Sequence, residues 1–438
     1  MGVAFGTDGI RGVANVDVTP EVALALGRAA ARVLGGDRWL IGADTRASGP
    51  MLVAALSAGL AAAGADVVDL GVIPTPGVAF HAQRDGVPAA VVSASHNPFT
   101  DNGIKLLAAG GHKLADEVEH AIAALLDEPP ASGGPVGGIR RNDDARGPYI
   151  DHLVGALEGR SLAGLHVVID CAHGAASAIA PAVFRRLGAR VTVLHAEPDG
   201  MNINAGCGST YPQALQAAVV GAGAHLGLAF DGDADRVLAV DEAGALVDGD
   251  RIIGLCAADL HRRGLLRNGA VAVTVMSNLG LRVALDALGI EVVETAVGDR
   301  YVLAALDGRD LSLGGEQSGH VVFRDLATTG DGVLTGALLL DLVVREQRTL
   351  GDIAGAFMQQ FPQVLHNVRV ADPGGLGAAG EVWAEVARVE AELAGRGRVV
   401  LRSSGTEPLV RVMIEATTIE QAESMARRLG AVVARALI

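Results

Sequence analysis

Short apolar runs alternate with helical stretches along most of the chain, in a pattern that occurs three times. In each copy, an apolar run enters a polar turn, and a helical stretch then ends near a glycine that introduces a second apolar run. The first runs are Trp39 to Gly42, Leu165 to Ile169 and Val271 to Val275, and the glycines are Gly64, Gly188 and Gly289. This alternation predicts parallel β-sheets with right-handed helical crossovers.

A third apolar run in each copy ends in a polar motif. The motifs are Ser93 to Pro98 after Val91-Val92, Asp231 to Arg236 after Leu226 to Phe230, and Gly314 to His320 after Leu311 to Leu313. Functional groups of α/β proteins gather at the carboxyl ends of parallel strands. We therefore expect the three motifs to converge on one cleft.

The last segment departs from the repeat. Arg398 to Leu401 and Leu409 to Glu415 read as strands around a polar turn, and a helix from Ile419 to Ala436 follows. This pattern predicts a small α+β domain after three α/β domains. The expected domains are residues 1–150, 151–250, 251–365 and 366–438.

Composition and charge exclude several classes of function. A chain of 438 residues suits two to four domains. Aromatic residues make up only 3% of it, which disfavours a stacking surface for single-stranded nucleic acid. The net charge of −15, without a long basic run, argues against binding to nucleic acid or anionic membranes.

The cysteines and the hydropathy pattern indicate the cellular setting. Cys171, Cys207 and Cys256 form no CxxC pair and read as reduced thiols. The first residues do not read as a signal peptide, and no apolar run is long enough to span a bilayer. We expect a cytoplasmic protein.

Asp231, Asp233 and Asp235 alternate within five residues. Carboxylates this close repel each other unless a cation lies between them, and hard oxygen ligands suit Mg²⁺ or Ca²⁺. An EF-hand loop is one alternative, with Glu242 at its twelfth position, but Arg236 stands where that loop needs glycine. A phosphatase of the haloacid-dehalogenase type, with Asp231 as nucleophile, is another, and a solvated acidic turn is a third.

Ser95 follows an apolar run and is flanked by His96 in a loop that Pro98 closes. We predict that Ser95 carries a phosphoryl group; the alternative is an ordinary turn, since Ser and Asn favour turns. Lys105 stands where it can return to the same loop. A lysine near a phosphate can transfer protons if its pKa is tuned, although an ordinary surface lysine would have the same sequence signal.

Two further loops carry groups suited to sugar phosphates. Arg402 to Thr406 combine a guanidinium, hydroxyls and a glycine turn that can donate to phosphate oxygens, and Arg411 follows on the next strand. A plain hairpin is the alternative. Glu316 and Ser318 suit sugar hydroxyls, and His320 suits contact with phosphate or proton transfer.

Taken in order, the motifs resemble those of the α-D-phosphohexomutase superfamily. They are Gly6-Thr7-Asp8-Gly9-Ile10-Arg11-Gly12, Ser95-His96-Asn97-Pro98, Asp231-Gly232-Asp233-Ala234-Asp235, Glu316-Gln317-Ser318-Gly319-His320 and Arg402-Ser403-Ser404-Gly405-Thr406. The resemblance runs from Phe5 to Arg411. It is greatest to members that act on glucosamine phosphates, in stretches such as Asn202-Ile203-Asn204 and Gly298-Asp299-Arg300-Tyr301.

The resemblance implies four domains around a central cleft: three similar α/β units with mixed, largely parallel sheets, and a C-terminal α+β domain. It also implies a role for each motif. Ser95 would be the phosphorylated serine and Ser93 a structural one. The implied catalytic residues are Ser95, Lys105, Arg11, His96, Arg236 and His320. The implied ligands of Mg²⁺ are Asp231, Asp233, Asp235 and the phosphate on Ser95. The implied substrate-binding residues are Glu316 and Ser318 for the sugar, and Arg402, Ser404, Gly405, Thr406 and Arg411 for the phosphate that does not react.

Two positions depart from the family pattern. Ala234 stands where many members have Gly, and His173 stands where Asn is common. If Ala234 has a positive φ, the alanine costs roughly 1 kcal/mol. Neither change removes the predicted phosphoserine or a metal ligand.

The implied activity interconverts glucosamine 6-phosphate and glucosamine 1-phosphate through a phosphoserine enzyme and a 1,6-bisphosphate, in support of UDP-N-acetylglucosamine and cell-wall synthesis. Glucosamine or glucose 1,6-bisphosphate would phosphorylate the serine, and the protein would be a monomer or homodimer. A mutase for neutral hexose phosphates is the nearest alternative, since Gln317 favours glucosamine by resemblance alone. A non-catalytic sugar-phosphate sensor and a phosphatase are others.

Overall fold

The structure is a computed structural model that describes residues 9–128, 134–403 and 408–437. The first domain is built on a sheet with the strand order β1-β5-β4-β2-β3-β7, in which β6 pairs with β5. Its strands are β1 (Ile10–Val13), β2 (Arg38–Ala43), β3 (Asp66–Val72), β4 (Ala89–Val92), β5 (Asp101–Ala108), β6 (His112–Lys113) and β7 (Ile139–Arg141). Its helices are α1 (Pro20–Leu34), α2 (Gly49–Ala62), α3 (Thr75–Asp85) and α4 (Asp116–Ala124), and α5 (Arg146–Gly155) leads to the next domain.

The second domain has a five-stranded sheet in the order β12-β11-β10-β8-β9. Its strands are β8 (His166–Asp170), β9 (Arg190–Leu194), β10 (Leu226–Phe230), β11 (Val237–Val240) and β12 (Leu246–Val247). Its helices are α6 (Ala176–Arg186) and α7 (Gln213–Ala222), with a short 3₁₀ turn at Gly208–Thr210.

The third domain has a four-stranded sheet in the order β14-β13-β15-β16. Its strands are β13 (Ala270–Thr274), β14 (Glu291–Thr295), β15 (Leu313–Gly315) and β16 (Val321–Phe323). Its helices are α8 (Gly249–Arg262), α9 (Leu279–Asp286), α10 (Asp299–Gly308), α11 (Gly332–Glu346) and α12 (Leu350–Phe357), with a 3₁₀ turn at Arg267–Gly269.

The last domain has an antiparallel sheet in the order β17-β19-β18. Its strands are β17 (Gln363–Arg369), β18 (Arg398–Ser403) and β19 (Leu409–Glu415), and its helices are α13 (Gly380–Leu393) and α14 (Ile419–Ala436). Asp372 caps a 3₁₀ segment, Pro373–Ala378. The expected boundary at residue 365 falls inside β17, and we propose that this domain begins before Gln363 because β17 pairs along its length with β19.

The predicted threefold repeat is confirmed. In each of the first three domains, the parallel strands lie in the order second, first, third: β3-β2-β4, β9-β8-β10 and β14-β13-β15. Gly64, Gly188 and Gly289, which introduce the second strands, have φ of +97°, +95° and +71°, a region that glycine adopts without strain. The expected mixed, largely parallel sheets are confirmed, but the sequence pattern did not locate the antiparallel strand that follows each third strand: β5 on β4, β11 on β10 and β16 on β15. Each polar motif is therefore the loop of a hairpin.

The start of α1 illustrates how local sequence places these elements. Thr19 is the N-cap, and its Oγ1 accepts a hydrogen bond of 3.3 Å from Val22 N. Pro20 lacks the N–H that the first turn cannot satisfy, so it fits the first helical position. These residues position α1 against α2 on one face of the first sheet.

The first three domains share a continuous apolar core. One cluster of buried residues includes Val91 of the first domain, Phe230 of the second and Leu340 of the third. The last domain has a separate core, which includes Val412 and Leu429. The three cysteines are free thiols, as predicted, and all three are buried.

The seam between the third and last domains is formed by polar contacts. Asn278, the N-cap of α9, accepts a hydrogen bond of 3.0 Å from Phe361 N and donates one of 2.9 Å to Phe361 O. Glu415 of β19 is fully buried and accepts from Leu279 N at 3.2 Å. Arg398 Nε lies 2.5 Å from Glu415 Oε2, and its guanidinium also donates to Ser277 O.

Candidate active site

Ser95 lies just after β4 in a buried turn and is 1% exposed. Its φ is +52°, in the left-handed region that non-glycine residues rarely adopt. Ser95 Oγ donates a hydrogen bond of 2.6 Å to Asp231 Oδ2. Ser93 Oγ instead accepts from Ser95 N at 2.9 Å and donates to Asp44 Oδ2 at 2.6 Å, so this hydroxyl is committed to the turn.

The acidic loop between β10 and β11 brings three carboxylates together. One oxygen from each of Asp231, Asp233 and Asp235 lies within 4.8 Å of the others, and all three residues are buried. Ala234 has a φ of +56°, so the strain expected from its sequence position is present. Burial, followed by the charges of Asp235 and Asp233, raises the pKa of Asp231 well above its ordinary value.

These carboxylates fit a hard divalent cation. Asp233 Oδ1 and Asp235 Oδ1 are buried and have no hydrogen-bond partner among the residues that the structure describes. Buried carboxylate oxygens without hydrogen bonds are destabilising unless a cation or a donor approaches them. The set consists of oxygen donors alone, which is the preference of Mg²⁺ and Ca²⁺.

Lys105, on β5 opposite Val91, reaches the acidic loop from the first domain. Its Nζ lies 2.9 Å from Asp233 Oδ2 and 3.5 Å from Asp235 Oδ2. Thr75 Oγ1 donates to the same oxygen of Asp233 at 2.5 Å. Burial alone would raise the pKa of Asp233, but the Lys105 ammonium and the Thr75 hydroxyl outweigh it and lower that pKa.

His96 contacts the Ser95 hydroxyl, and the charges of Arg236 and Arg11 act on His96. His96 Nδ1 is 3.3 Å from Ser95 Oγ. Burial, followed by the charges of Arg236 and Arg11, lowers the pKa of His96 to about 4, so its ring is neutral at neutral pH. Arg236 N donates to Asp231 Oδ1 at 3.2 Å, and its Nε lies 3.8 Å from Asp235 Oδ1.

The loop between β15 and β16 adjoins the acidic loop. His320 and Arg236 form an isolated antiparallel bridge, and the Glu316 carboxylate is close enough to act on the Arg236 charge. Gly298 N donates to Glu316 Oε1 at 3.2 Å, and Ser318 is exposed. Both ring nitrogens of His320 are buried and lack a hydrogen-bond partner among the described residues.

In the last domain, Arg402 of β18 lies directly opposite Arg411 of β19. Burial, followed by the Arg411 charge, lowers the pKa of Arg402. Two guanidinium groups side by side repel each other, so an anion such as phosphate would stabilise the pair. Ser404, Gly405 and Thr406 lie outside the described residues.

Sequence reasoning missed three residues that contact this site. Thr75 contacts Asp233, while Arg46 and Asn204 both donate to the carbonyl oxygen of Ser95. One signal pointed to Arg46, because the polar turn that contains it ends β2, the strand beside β4. Side chains at the ends of neighbouring parallel strands meet at one edge of a sheet.

Comparison with known proteins identifies the family. Four models of the phosphoglucomutase/phosphomannomutase family match successive parts of the chain: alpha/beta/alpha domain I at residues 2–131, domain II at 147–244, domain III at 248–361 and the C-terminal domain at 365–431. The chain belongs to this family. The superfamily and the fold class predicted from its sequence are therefore confirmed.

A relative and two solved structures place the chain more closely. It is 53% identical to the protein named Phosphoglucosamine mutase of Symbiobacterium thermophilum, over 98% of each chain. A phosphoglucomutase/phosphomannomutase family protein of Burkholderia thailandensis is 27% identical with a TM-score of 0.83, over 98% of this chain and 97% of that one. N-acetylphosphoglucosamine mutase of Aspergillus fumigatus, solved with GlcNAc-6P and magnesium, has a TM-score of 0.73 at 19% identity over 99% and 96%, a likeness of fold alone.

Proposed function

We propose that the chain is a phosphoglucosamine mutase, an isomerase that interconverts glucosamine 6-phosphate and glucosamine 1-phosphate for UDP-N-acetylglucosamine and cell-wall precursor synthesis. The observation that carries this proposal is the contact of 2.6 Å between Ser95 Oγ and Asp231 Oδ2, which places a hydroxyl able to carry phosphate beside the acidic loop. The choice of glucosamine rests on the similarity to the relative from Symbiobacterium thermophilum, 53% identical along the chain.

Mg²⁺ is the proposed cofactor, and Asp231, Asp233, Asp235 and the phosphate on Ser95 would hold it. When bound, it would neutralise charge on the phosphoryl group in transfer. Asp233 Oδ1 and Asp235 Oδ1, which are buried without a hydrogen-bond partner among the described residues, support this assignment.

The first transfer moves the phosphoryl group from Ser95 to O1 of glucosamine 6-phosphate. The bond between Ser95 Oγ and phosphorus breaks, the bond from O1 to phosphorus forms, and the O1 proton leaves. The products are glucosamine 1,6-bisphosphate and the free Ser95 hydroxyl. We assign the proton transfer to Lys105 Nζ: its ammonium gives a proton to Ser95 Oγ as the bond to phosphorus breaks and takes up the O1 proton, so the lysine is unchanged over the step. The charges of Arg11 and Arg236 would stabilise the equatorial oxygens together with a donor from His96.

The second transfer returns a phosphoryl group to Ser95 after the bisphosphate has turned around. The bond from O6 to phosphorus breaks, Ser95 Oγ takes the phosphoryl group, and O6 gains a proton to give glucosamine 1-phosphate. Glucosamine or glucose 1,6-bisphosphate would phosphorylate a resting enzyme by the same route. The single carrier must thus meet O1 and O6 in turn.

Two loops would hold the sugar phosphate in either orientation. Glu316 and Ser318 would bind the sugar hydroxyls, with His320 beside them. The distal phosphate would be held by Arg402, Ser404, Gly405, Thr406 and Arg411. The opposed guanidinium groups of β18 and β19 support this assignment, because they concentrate positive charge on one sheet.

We further propose a cytoplasmic monomer or homodimer whose ligands are sugar phosphates, without nucleic-acid or membrane partners. The net charge of −15 supports the absence of polyanionic partners. No helix in the described part of the chain combines the length and the apolar character that a membrane crossing requires.

The test compares rates on glucosamine 6-phosphate and glucose 6-phosphate, and intact mass before and after incubation with glucose 1,6-bisphosphate. The expected result is faster turnover of the glucosamine substrate and a gain of one phosphate on Ser95. Equal or faster turnover of glucose 6-phosphate would favour the neutral-sugar mutase. Release of inorganic phosphate as the main product would indicate a phosphatase, and binding without turnover would indicate a sensor.

A further inference from the structure

Arg46 is buried in the turn after β2, and its terminal nitrogens face the loop between β4 and β5, residues 93–100, which we call the phosphoserine loop. Its side chain is fully buried. Nε donates to Asp44 Oδ2 at 3.0 Å. The two terminal nitrogens donate to four main-chain carbonyl oxygens: Ser95 O at 2.9 Å, Asn97 O at 2.8 Å, Asp101 O at 3.0 Å, and Pro98 O. All five N–H groups that a guanidinium offers are therefore used.

Asn204, from the loop that precedes the 3₁₀ turn of the second domain, approaches the same loop from the opposite domain. Its Nδ2 donates to Ser95 O at 2.9 Å and to Asn97 O at 3.0 Å. The carbonyl groups of Ser95 and Asn97 are thus each held by one donor from the first domain and one from the second.

Further contacts hold the Arg46 turn itself against the second domain. Thr45 Oγ1 donates to His173 O at 2.6 Å, and Ala47 N donates to Gly200 O at 2.9 Å. Gly232 lies so close that a Cβ on it would be 2.5 Å from Ser95 O. The phosphoserine loop is therefore enclosed by the acidic loop on one side and the Arg46 turn on the other.

These hydrogen bonds hold the phosphoserine loop in a strained backbone conformation. Ser95 has a φ of +52°, where an L-residue costs roughly 1–2 kcal/mol. Without its partners, the loop would relax and the Ser95 side chain would move. Orienting the carbonyl groups of Ser95 and Asn97 fixes the peptide planes between Ser95 and His96 and between Asn97 and Pro98, and Ser95 N is held by Ser93 Oγ at 2.9 Å.

We infer that Arg46 and Asn204 are positioning residues that hold Ser95 Oγ at one point for both transfers, an inference that rests on the proposed function. A carrier that must meet O1 and then O6 of a reoriented intermediate gains from a fixed position, because phosphoryl transfer depends on in-line alignment. Neither residue contacts the reacting oxygen in the structure. They act through the backbone of the loop.

At position 46, the shape of the arginine side chain matters as well as its charge. A lysine keeps the charge beside Asp44 but offers only three donors, without the planar fork. It would leave at least two of the five acceptors without their present donor, so Arg46→Lys tests the fork. Asn204→Ala tests the second domain's contribution without removing a buried charge.

The experiment follows transfer from a phosphoserine labelled with glucose 1,6-bisphosphate to added glucosamine 6-phosphate by rapid quenching. The variants are Arg46→Lys and Asn204→Ala. Asn202→Ala is the matched control, because Asn202 lies on the same loop as Asn204 but donates to Glu197 O instead. We expect the transfer rate per labelled enzyme to fall roughly 10- to 100-fold in both variants, since a displacement of about 1 Å has such an effect. We also expect KM to stay within about twofold, because the sugar-binding loops are untouched, and Asn202→Ala to behave as wild type.

Two outcomes would overturn the inference. One is transfer at the wild-type rate in folded Asn204→Ala and Arg46→Lys. The other is a loss that appears only as fewer labelled molecules, which would indicate a role in folding alone. If Arg46→Lys does not fold, Asn204→Ala decides.

Hydrogen exchange separates this inference from the proposed function. The amide of Asn97, which donates to Ala94 O at 3.1 Å, should exchange faster in Asn204→Ala than in Asn202→Ala whatever the substrate is. If the wild type transfers no label to the sugar, the proposed function fails. If the Asn97 amide exchanges at the same rate in Asn204→Ala and Asn202→Ala, Asn204 does not hold the phosphoserine loop and the inference fails.

Discussion

Ser95 Oγ lies 2.6 Å from Asp231 Oδ2, so a hydroxyl of the first domain and a carboxylate of the second share a hydrogen bond although 136 positions separate them. This contact joins the phosphate carrier to the predicted metal ligands. Removing the Ser95 hydroxyl alone therefore tests the proposed chemistry.

Ser95→Ala should reduce mutase turnover to background while the protein stays folded. The alanine keeps a Cβ at the same backbone angle, and the loss of one hydrogen bond changes stability by only about 1–2 kcal/mol. Intact mass after incubation with glucose 1,6-bisphosphate should show no added phosphate. Thr100→Ala, which removes an exposed hydroxyl near the same loop, is the control and should keep both phosphate and turnover. Normal turnover by Ser95→Ala would contradict the assignment of the carrier.

Mg²⁺ should raise the melting temperature of the wild type, because a ligand that binds only the folded state stabilises it by about 2.7 kcal/mol at a hundred times its Kd. Asp233→Asn preserves the shape of the side chain but removes a charge from the acidic loop, so Mg²⁺ should raise the melting temperature of this variant much less. Asp286→Asn, at an exposed position, controls for the loss of a carboxylate. An equal shift in all three proteins would mean that the ion binds elsewhere.

Arg402→Ala should raise KM for the sugar phosphate at least tenfold and change kcat less. A hydrogen bond from a charged donor to phosphate contributes about 1.5–3 kcal/mol, and Arg402 lies opposite Arg411 in the sheet of the last domain. Steady-state kinetics with glucosamine 6-phosphate measures KM and kcat separately. Arg369→Ala on β17 removes an exposed guanidinium from the same sheet and should leave KM unchanged. An unchanged KM in Arg402→Ala would remove this residue from the phosphate site.

Arg398→Met should destabilise the last domain by roughly 3–5 kcal/mol, since it leaves the buried Glu415 carboxylate without its guanidinium. The double variant Arg398→Met/Glu415→Gln should recover much of this loss. Urea unfolding is followed by the fluorescence of Trp383 on α13, in a Trp39→Phe background that removes the only other tryptophan.

The exposed pair of Arg427 and Glu423 on α14 is the matched control. Arg427→Met should change stability by less than about 0.5 kcal/mol, because exposed ion pairs contribute little. A double variant no more stable than Arg398→Met would contradict the view that an unpaired buried charge causes the loss.

Asp331→Asn should remove a loss of stability that occurs between about pH 4 and pH 6. Asp331 is buried, accepts from Tyr149 Oη at 2.7 Å and Leu334 N at 2.9 Å, and has its pKa raised by burial to about 6. Because this value lies above the unfolded pKa of about 3.9, the stability that protonated Asp331 contributes is complete below pH 4 and is lost as pH rises to 6. The free energy of unfolding of the variant, relative to that of the wild type, should therefore rise by roughly 2–3 kcal/mol between pH 4 and pH 6.

Urea unfolding at pH 4, 5, 6 and 7 measures the difference between Asp331→Asn and wild type. Asp372→Asn, at an exposed cap where Asp372 Oδ1 accepts from Gly374 N at 2.9 Å, controls for replacing a capping carboxylate. A difference between Asp331→Asn and wild type that does not change with pH would show that ionisation of Asp331 is not the cause.

The parallel strands were predictable because strands buried on both faces read as apolar runs. The antiparallel strand β5 was not, because it begins with Asp101, Asn102 and Gly103, residues that favour turns. These residues also hold the loop before them: Asp101 Oδ2 accepts from Asn97 Nδ2 at 3.0 Å, and Gly103 O accepts from Ser93 N at 2.9 Å.

The charged and hydroxyl groups of the site were predictable from their spacing, whereas the groups that hold them were not. Arg46 donates mainly to backbone carbonyl oxygens, which carry no mark in a sequence. Thr75 donates to Asp233 across 158 positions and stands in an unremarkable first turn of α3. Such contacts depend on how two domains meet, which the local pattern does not encode.

The hairpin form of the three polar loops limits how the enzyme can move. Each loop leaves one strand and enters the next strand of the same sheet, so it has no spare length to swing as a lid. The first three domains also share a core, whereas the last domain has its own. Opening and closing would then fall to the last domain, and the escape of a half-turned intermediate would be governed by the seam where Arg398 and Glu415 contact Ser277 and Leu279.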